Sequence, residues 1–482
     1  MKKRAFFVIR SLCFLVALAL ALCAVNHVVV PQYLYNDIWP TTATLKEFYQ
    51  LKRNTADVLF VGSSHAMCAF NPQVLYNDYG ITSYNLSSEE QTLFVSYFWL
   101  KEALRYQKPK AVILDTCMLF YYYPDSAFNM LEAKLRKSID AMRPSPVKWE
   151  AIQDICRLDK SQSALSYWFP ALRFHTRWTK LERNDFLKRE LSSHEALKGY
   201  SIQGGYCGIS DYAPFEGSES DDTMETLPLM EEYLDKIAAL CEQNDTKLIL
   251  IATPFLFDTI GKYNTTQQYA DKHGIAYYDL NESSLCYSQL NYSFEIDNVD
   301  ALHANAWGAQ EITIFVGNLL IDEYGVEPRN DSQWENGDAF YQQRLTDCEL
   351  GHLDDPLAYL QALDNERYTV LVSLSATDKG IAFDNNMIEA LRTLGFSLPD
   401  DLSQGYGAVQ SEGQTIESTG MLTGTFLNGR VPYSFQAGKS ITVDGQTLDM
   451  EKNGLLIAVY ANDLYRVVDL ACLLAEDGSL VQ

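Results

Sequence analysis

Two short stretches carry the chemistry open to this chain: Gly62-Ser63-Ser64-His65 near the start and Asp300-Ala301-Leu302-His303 far downstream. A serine hydroxyl is a weak nucleophile until a base takes its proton. An acid three residues before a histidine can hold the imidazole in one tautomer, with Asp300 on Nδ1 and Nε2 left free for a serine. Ser64, His303 and Asp300 are therefore the candidate nucleophile, base and orienting acid. Other uses stay open at this point. A Gly-Ser-Ser turn also serves as a helix N-cap or an anion nest, and His303 as a capping or surface histidine. His65 is expected to point away from so tight a turn, supporting it or lining a pocket rather than acting as base.

Such residues need a scaffold. Asp57-Val-Leu-Phe-Val61 reads as a buried strand, and a strand ending in a Gly turn presents a hydroxyl at the carboxyl edge of a sheet, where open α/β sheets keep their sites. Further strands buried on both faces are predicted at 83–86, 111–114, 247–252 and 276–278. Helices are predicted at about 92–106, 227–243, 266–273 and 306–324. This alternation predicts a doubly wound parallel α/β sheet, with Asp300 and His303 in its last loop. The stretch 120–224 is too long for a plain crossover and reads as a helical insertion over the sheet's edge, with 204–222 as a mobile loop. Residues 327–367 read as a linker. From 368 to 482 a compact α+β or β-rich domain is expected, with strands at 368–374, 424–427, 440–443 and 455–460 and a helix at 386–394.

The chain has 482 residues, 47% of them hydrophobic and 12% aromatic, and a net charge of −25. That length implies more than one domain. The charge argues against nucleic acid and favours a neutral or zwitterionic substrate or a cationic partner. The one basic island is the N-terminus, with Lys2, Lys3, Arg4 and Arg10 ahead of an apolar run from Leu12 to Val25. A span of about 20 apolar residues crosses a bilayer, a length this run reaches by continuing to Val30. Ala19-Leu20-Ala21 also has the spacing of a signal-peptidase site, and no lipobox is satisfied at Cys23. The preferred reading is an uncleaved anchor over 1–31 with its N-terminus inside and everything beyond it extracytoplasmic. Ten cysteines form no C-x-x-C or Cys/His cluster, which makes a structural zinc unexpected. Pairings among Cys156, Cys207, Cys241, Cys286, Cys348 and Cys472 stay open.

A strand followed by Gly-x-Ser, with Asp-x-x-His in the final loop, resembles the SGNH/GDSL hydrolase superfamily over about residues 57–324. Within it, Val-Gly-Ser-Ser-His-Ala is most similar to membrane-anchored bacterial relatives, the polysaccharide O-acetyltransferase-like proteins and the D-alanyl transfer protein of teichoic acid modification. The resemblance implies an SGNH-type fold over 32–326 with Ser64, His303 and Asp300 as its triad. It also implies a glycine and an asparagine that complete the oxyanion hole, and this chain departs from both. Asn85-Leu-Ser-Ser-Glu-Glu-Gln91 holds no glycine, and the third strand ends Leu114-Asp115-Thr116. Ser87, Ser88 and Gln91 are the available substitutes. Losing one oxyanion donor costs about 10²–10³ in rate. The C-terminal unit resembles the interleukin-like domain shared by a secreted cytokine-like family and the stem of a glycan-modifying transferase. The resemblance rests on residues 368–374, Leu394-Gly395, Asn453-Gly454 to Tyr460, and Val467-Val468-Asp469, and it implies a carbohydrate- or partner-binding module.

Weaker candidates remain. Asp37, Asp115, Asp258 and Asp279 could pair as glycosidase-like carboxylates. Phe174-His175-Thr-Arg177-Trp178 could line a sugar cleft, although an amphipathic helix packed on the sheet is the plainer reading, and Tyr121-Tyr122-Tyr123 could shape a rim. The expectation is an extracytoplasmic serine esterase or O-acyltransferase acting on acyl, chiefly acetyl, esters of a cell-surface or exported glycan. It needs no metal or organic cofactor. Its partners are a glycan or cell-envelope polymer, the membrane and, for transfer, an acyl-donating membrane protein. The rival reading is a non-catalytic SGNH-shell assembly or glycan-binding protein.

Overall fold

A computed structural model of the chain describes residues 2–30, 41–120, 132–181, 185–186, 197–217, 220–375, 383–398, 405–449 and 453–481. Asp37 and Tyr121-Tyr122-Tyr123 lie outside them. The chain divides into two compact units, Met1–Tyr341 and Gln342–Gln482.

In the first unit five strands form one parallel sheet: β1 (Val58–Val61), β2 (Ser83–Asn85), β3 (Ala111–Asp115), β4 (Lys247–Ala252) and β5 (Ala276–Asp279), in the order β2-β1-β3-β4-β5. The strands carry apolar residues at successive positions because both faces are covered. Leu59, Val61, Val112, Leu114 and Leu250 face one core, whereas Val58, Phe60, Ala111, Ile113, Ile249 and Ile251 face the other. The first core is closed by helices including α5 (Leu93–Ala103) and Pro228–Gln243. The second is closed by α3 (Ser64–Ala69), α4 (Pro72–Tyr79) and Ala306–Asp322. The order in which successive strands are added reverses between β1 and β3, and the carboxyl ends of these two parallel strands bound the crevice where such sheets hold ligands.

An apolar helix, α1 (Lys2–Val29), precedes the sheet, and its Phe6–Val29 portion is long and apolar enough to cross a membrane, a test that a signal sequence also passes. It is followed by α2 (Thr41–Glu47). The first part of the long insertion is helical: α6 (Glu132–Ala141), α7 (Pro146–Leu158), α8 (Ala164–Trp168), α9 (Ala171–Phe174) and a 3₁₀ turn at His175–Lys180. Its end is not loose as the sequence suggested. Residues 203–215 are tied down by backbone hydrogen bonds from Cys207 to Asn298, Gly208 to Glu295 and Phe215 to Asn281. A further bond runs from Ala306 to Gln203.

The stretch 327–367 is not an extended linker. It carries helices at Ser332–Glu335, Asp338–Leu350 and Pro356–Ala362. Its first part belongs to the first unit, since Arg329 pairs with Asp57 at 3.2 Å and the buried Trp334 indole donates to the Ser83 carbonyl at 3.0 Å. The polar composition hid the few apolar residues this stretch buries, Trp334, Tyr341, Leu350, Tyr359, Leu360 and Leu363.

The second unit contains two antiparallel sheets. Strands β6 (Tyr368–Leu374), β7 (Tyr406–Ser411), β8 (Gln414–Ser418), β13 (Gly454–Ala461), β14 (Arg466–Leu474) and β15 (Leu480–Val481) form one, in the order β15-β14-β13-β6-β7-β8. Strands β9 (Met421–Phe426), β10 (Val431–Gln436), β11 (Ser440–Val443) and β12 (Gln446–Asp449) form the other. Alternation sorts β6 between two cores: Val370, Val372 and Leu374 pack under the helices, and Leu371 packs against Phe435 and Ile441 of the smaller sheet's cluster. Among the described residues no disulfide joins the cysteines.

Candidate active site

The turn after β1 is built around Gly62. A Cβ there would lie 2.6 Å from the Cβ of Asp115 and 2.8 Å from that of Ala66, so any other residue would push β3 or α3 away. Ser63 caps α3, its Oγ accepting from the His65 N–H at 3.3 Å and donating to Asp115 at 3.0 Å. Asp115 also accepts from the Cys117 N–H at 3.3 Å. It is 1% exposed, and burial pushes its carboxyl up to about 6 despite these hydrogen bonds. Asn85 fastens α3 from the other side, donating to the carbonyls of Ala66 (2.7 Å) and Phe70 (3.0 Å). Ser64 thus opens a short helix at the carboxyl edge of the sheet, beside the reversal in strand order.

The second stretch arrives on the loop ahead of helix Ala306–Asp322. Asn305 caps that helix by accepting from Trp307 and Gly308, both at 3.1 Å, and ties the loop to Gly205 and Ile296. A bridge between Asn298 and Ala304 and a bond from Leu256 to the Ala301 carbonyl hold the hairpin that carries His303. His303 Nε2 lies 2.8 Å from Ser64 Oγ, and its Nδ1 lies 2.9 Å from both carboxylate oxygens of Asp300. Because a carboxylate only accepts, Nδ1 carries the proton and Nε2 accepts from the serine hydroxyl. Burial pushes the Asp300 carboxyl up. Hydrogen bonds from His303 and from the backbone N–H groups of Leu302 and His303 outweigh burial and hold the carboxyl below its usual range. The three residues singled out by spacing are brought together in one hydrogen-bonded row.

His65 does not compete for the serine. It is buried, with its ring edge-on to Phe255 at 5.0 Å and tilted 5.4 Å from the His303 ring. Burial, reinforced by repulsion from His303, pushes its pKa down to about 3. It is a neutral wall of the site at any ordinary pH.

Of the substitute oxyanion donors, two are already engaged. Ser88 Oγ donates to Gln91 at 2.7 Å and meets Ser138 Oγ at 3.1 Å, and the Gln91 amide donates to Leu86 and Ser96. Ser87 Oγ is buried without a hydrogen-bond partner. The loop reverses through Glu90 at φ 52°, a left-handed conformation that glycine adopts without cost. The backbone takes the glycine-like turn although the side chain is a glutamate. Among the described residues neither the Ser64 N–H nor the Glu90 N–H has an acceptor.

Sequence reasoning missed a polar cluster beside this site. Asp258 and Asp279, two of the four acids offered as paired carboxylates, meet at Asn281, whose Nδ2 donates to each at 2.9 Å. Burial pushes both carboxyls up, and repulsion from Asp279 raises Asp258 further. Asp115 is elsewhere, under Ser63. Asp258 and Asn281 line a pocket of about 250 Å³ together with Tyr212, Phe215 and Phe255. The only sequence signal was that Asp279 closes one sheet strand and Asp258 follows another. The motif at 174–178 is not packed on the sheet: Trp178 is 68% exposed and Arg177 reaches α1.

No protein-family model matches the chain, and no curated protein matches it either.

Proposed function

We propose that the chain is a membrane-anchored, extracytoplasmic serine esterase or O-acyltransferase of SGNH type. Its substrates on this reading are acyl esters, acetyl foremost, on a cell-surface or exported glycan. The observation that carries the reading is the row Ser64 Oγ–His303 Nε2 at 2.8 Å and His303 Nδ1–Asp300 at 2.9 Å, standing at the reversal in strand order of a parallel sheet. In the first step Ser64 Oγ attacks the ester carbonyl carbon while His303 Nε2 takes its proton. The tetrahedral oxyanion is held by the Ser64 N–H and a second donor from the loop 87–90. Collapse breaks the bond to the sugar oxygen, which leaves with the proton from His303, and the acyl group stays on Ser64. Water or a sugar hydroxyl, deprotonated in turn by His303, then attacks the acyl-serine and frees it. Asp300 keeps Nδ1 protonated throughout and stabilises the imidazolium. The C-terminal unit would retain the glycan, and α1 would keep the enzyme at the membrane.

Acetate release from an O-acetylated polysaccharide, or its transfer to an unacetylated one, tests this reading. Ser64→Ala should abolish both, and turnover unchanged by that substitution would exclude it. The rival reading, a non-catalytic envelope or glycan-binding protein on the same shell, draws on the engagement of Ser88 and Gln91 in bonds of their own. It requires that the intact chain turn over no ester at all.

A further inference from the structure

We propose that residues 164–180 of the insertion lie in the headgroup region of the membrane crossed by α1. The proposal rests on reading α1 as a retained anchor.

The segment is docked on the end of the apolar helix. The Asn26 side chain accepts from the Ala171 N–H at 3.0 Å, and Arg177 Nη1 lies 3.4 Å from the carbonyls of Val28 and Val29. These are the last carbonyls of α1, which have no partner within the helix. A helix of 28 residues rises about 42 Å, so an apolar portion centred in a hydrocarbon core of about 30 Å brings this end out among the headgroups.

At that depth the segment exposes what an interfacial element needs. Leu165, Phe169, Leu172 and Trp178 are each more than half exposed. Such side chains in water are a liability, whereas Trp and Phe at the headgroup level are favourable. The charge fits as well. Residues 164–180 hold Arg173, Arg177 and Lys180 and no acid, in a chain of net charge −25, and although Arg177 is paired with Asp185 at 2.5 Å, Arg173 and Lys180 keep the local charge positive. Anionic headgroups attract such clusters within a Debye length. Continuity with the span and the reversed local charge together select lipid as the occupant over a second copy of this acidic chain.

The element is also tied to the catalytic turn. Arg136 of α6 is buried, stacks 3.6 Å over Tyr167 and donates to the Ser166 carbonyl at 2.6 Å. From the next two positions of the same helix, Lys137 donates to Glu89 at 2.7 Å and Ser138 meets Ser88, whose N–H donates to the Gly62 carbonyl. The insertion thus connects a membrane-facing edge to the loop beside Ser64, which suits a substrate presented at the membrane surface.

The test uses the full chain in nanodiscs of phosphatidylglycerol and phosphatidylcholine, made with plain or brominated acyl chains. Tryptophan emission is compared between the unaltered chain and Trp178→Phe, whose difference isolates the exposed indole. The expected result is that brominated chains quench the larger part of that difference while aqueous iodide quenches little of it. Quenching of Trp178 by iodide but not by bromine overturns the proposal, as does shielding from both, which would mean a protein cover. Intact mass on the same sample separates the two readings. A chain that retains α1 and fails the test refutes the interfacial element alone, whereas a mature chain beginning after Ala21 refutes the retained anchor.

Discussion

Asp115 gives the sharpest test of how the turn that carries Ser64 is held. Its carboxyl is buried under Ser63 and Cys117 and is pushed up to about 6 from an ordinary 3.8. A difference of that size between folded and unfolded chains is worth about 3 kcal/mol. The folded state binds this proton more tightly than the unfolded one, so ionisation costs stability. The cost is absent below about pH 4, grows through the interval and is complete above about pH 6. Asp115→Asn removes the charge while keeping the shape. Its Oδ1 can accept from the Cys117 N–H, and its Nδ2 can donate to Ser63 Oγ, whose hydroxyl rotates to receive it, with only the long 3.5 Å bond from the Ser63 N–H given up. The variant should therefore melt several degrees above the parent at pH 8 and within experimental error of it at pH 4. Thermal unfolding of the detergent-solubilised chain, followed by near-UV circular dichroism at both pH values, measures this. An equal effect at the two pH values, or a loss of stability at pH 8, would refute the claim that Asp115 is held as a costly buried charge.

Other perturbations probe neighbouring parts of the same design. Asp300→Asn keeps the side-chain shape but allows the wrong imidazole tautomer, and acyl-ester turnover should fall about 10³–10⁴-fold with little change in melting temperature. A fall of less than tenfold would remove Asp300 from its orienting role. Gly62→Ala drives a methyl against Asp115 and Ala66, and overpacking of this kind costs about 1–3 kcal/mol. It should both lower the melting temperature and displace Ser64, and unaltered turnover would show that the turn has room to spare.

Much of the first unit was legible in the sequence, for a physical reason. Strands β1, β3 and β4 carry unbroken apolar runs because a parallel sheet is covered on both sides, and such runs have few other uses in a chain this acidic. Ser64 and the Asp300–His303 pair were legible because glycine turns and acid–imidazole spacing constrain local geometry. What was hidden is long-range convergence. Nothing local tells Asp258 that Asp279 and Asn281 will meet it, or Asp115 that it will carry the Ser63 cap. The helices within 327–367 were hidden by their polarity, since their buried apolar residues, Trp334, two tyrosines and three leucines, are few and widely spaced. In the second unit β8, β9 and β12 were missed or cut short because their exposed faces dilute the alternation. Turn chemistry could have found two of the hairpins. Glu412-Gly413 joins β7 to β8 and Asp444-Gly445 joins β11 to β12, each pair with φ positive at both residues. That is the two-residue hairpin turn with which the right-handed twist of strands agrees.

The central claim is that Ser64 is a nucleophile activated by His303. Covalent labelling of the intact chain by a serine-directed phosphonate tests it most directly, because the reagent needs the activated hydroxyl and no knowledge of the natural substrate. The account predicts one equivalent of label on Ser64, none in Ser64→Ala, and much slower labelling in His303→Ala. Absence of label on a folded chain, or label that persists in Ser64→Ala, would contradict it.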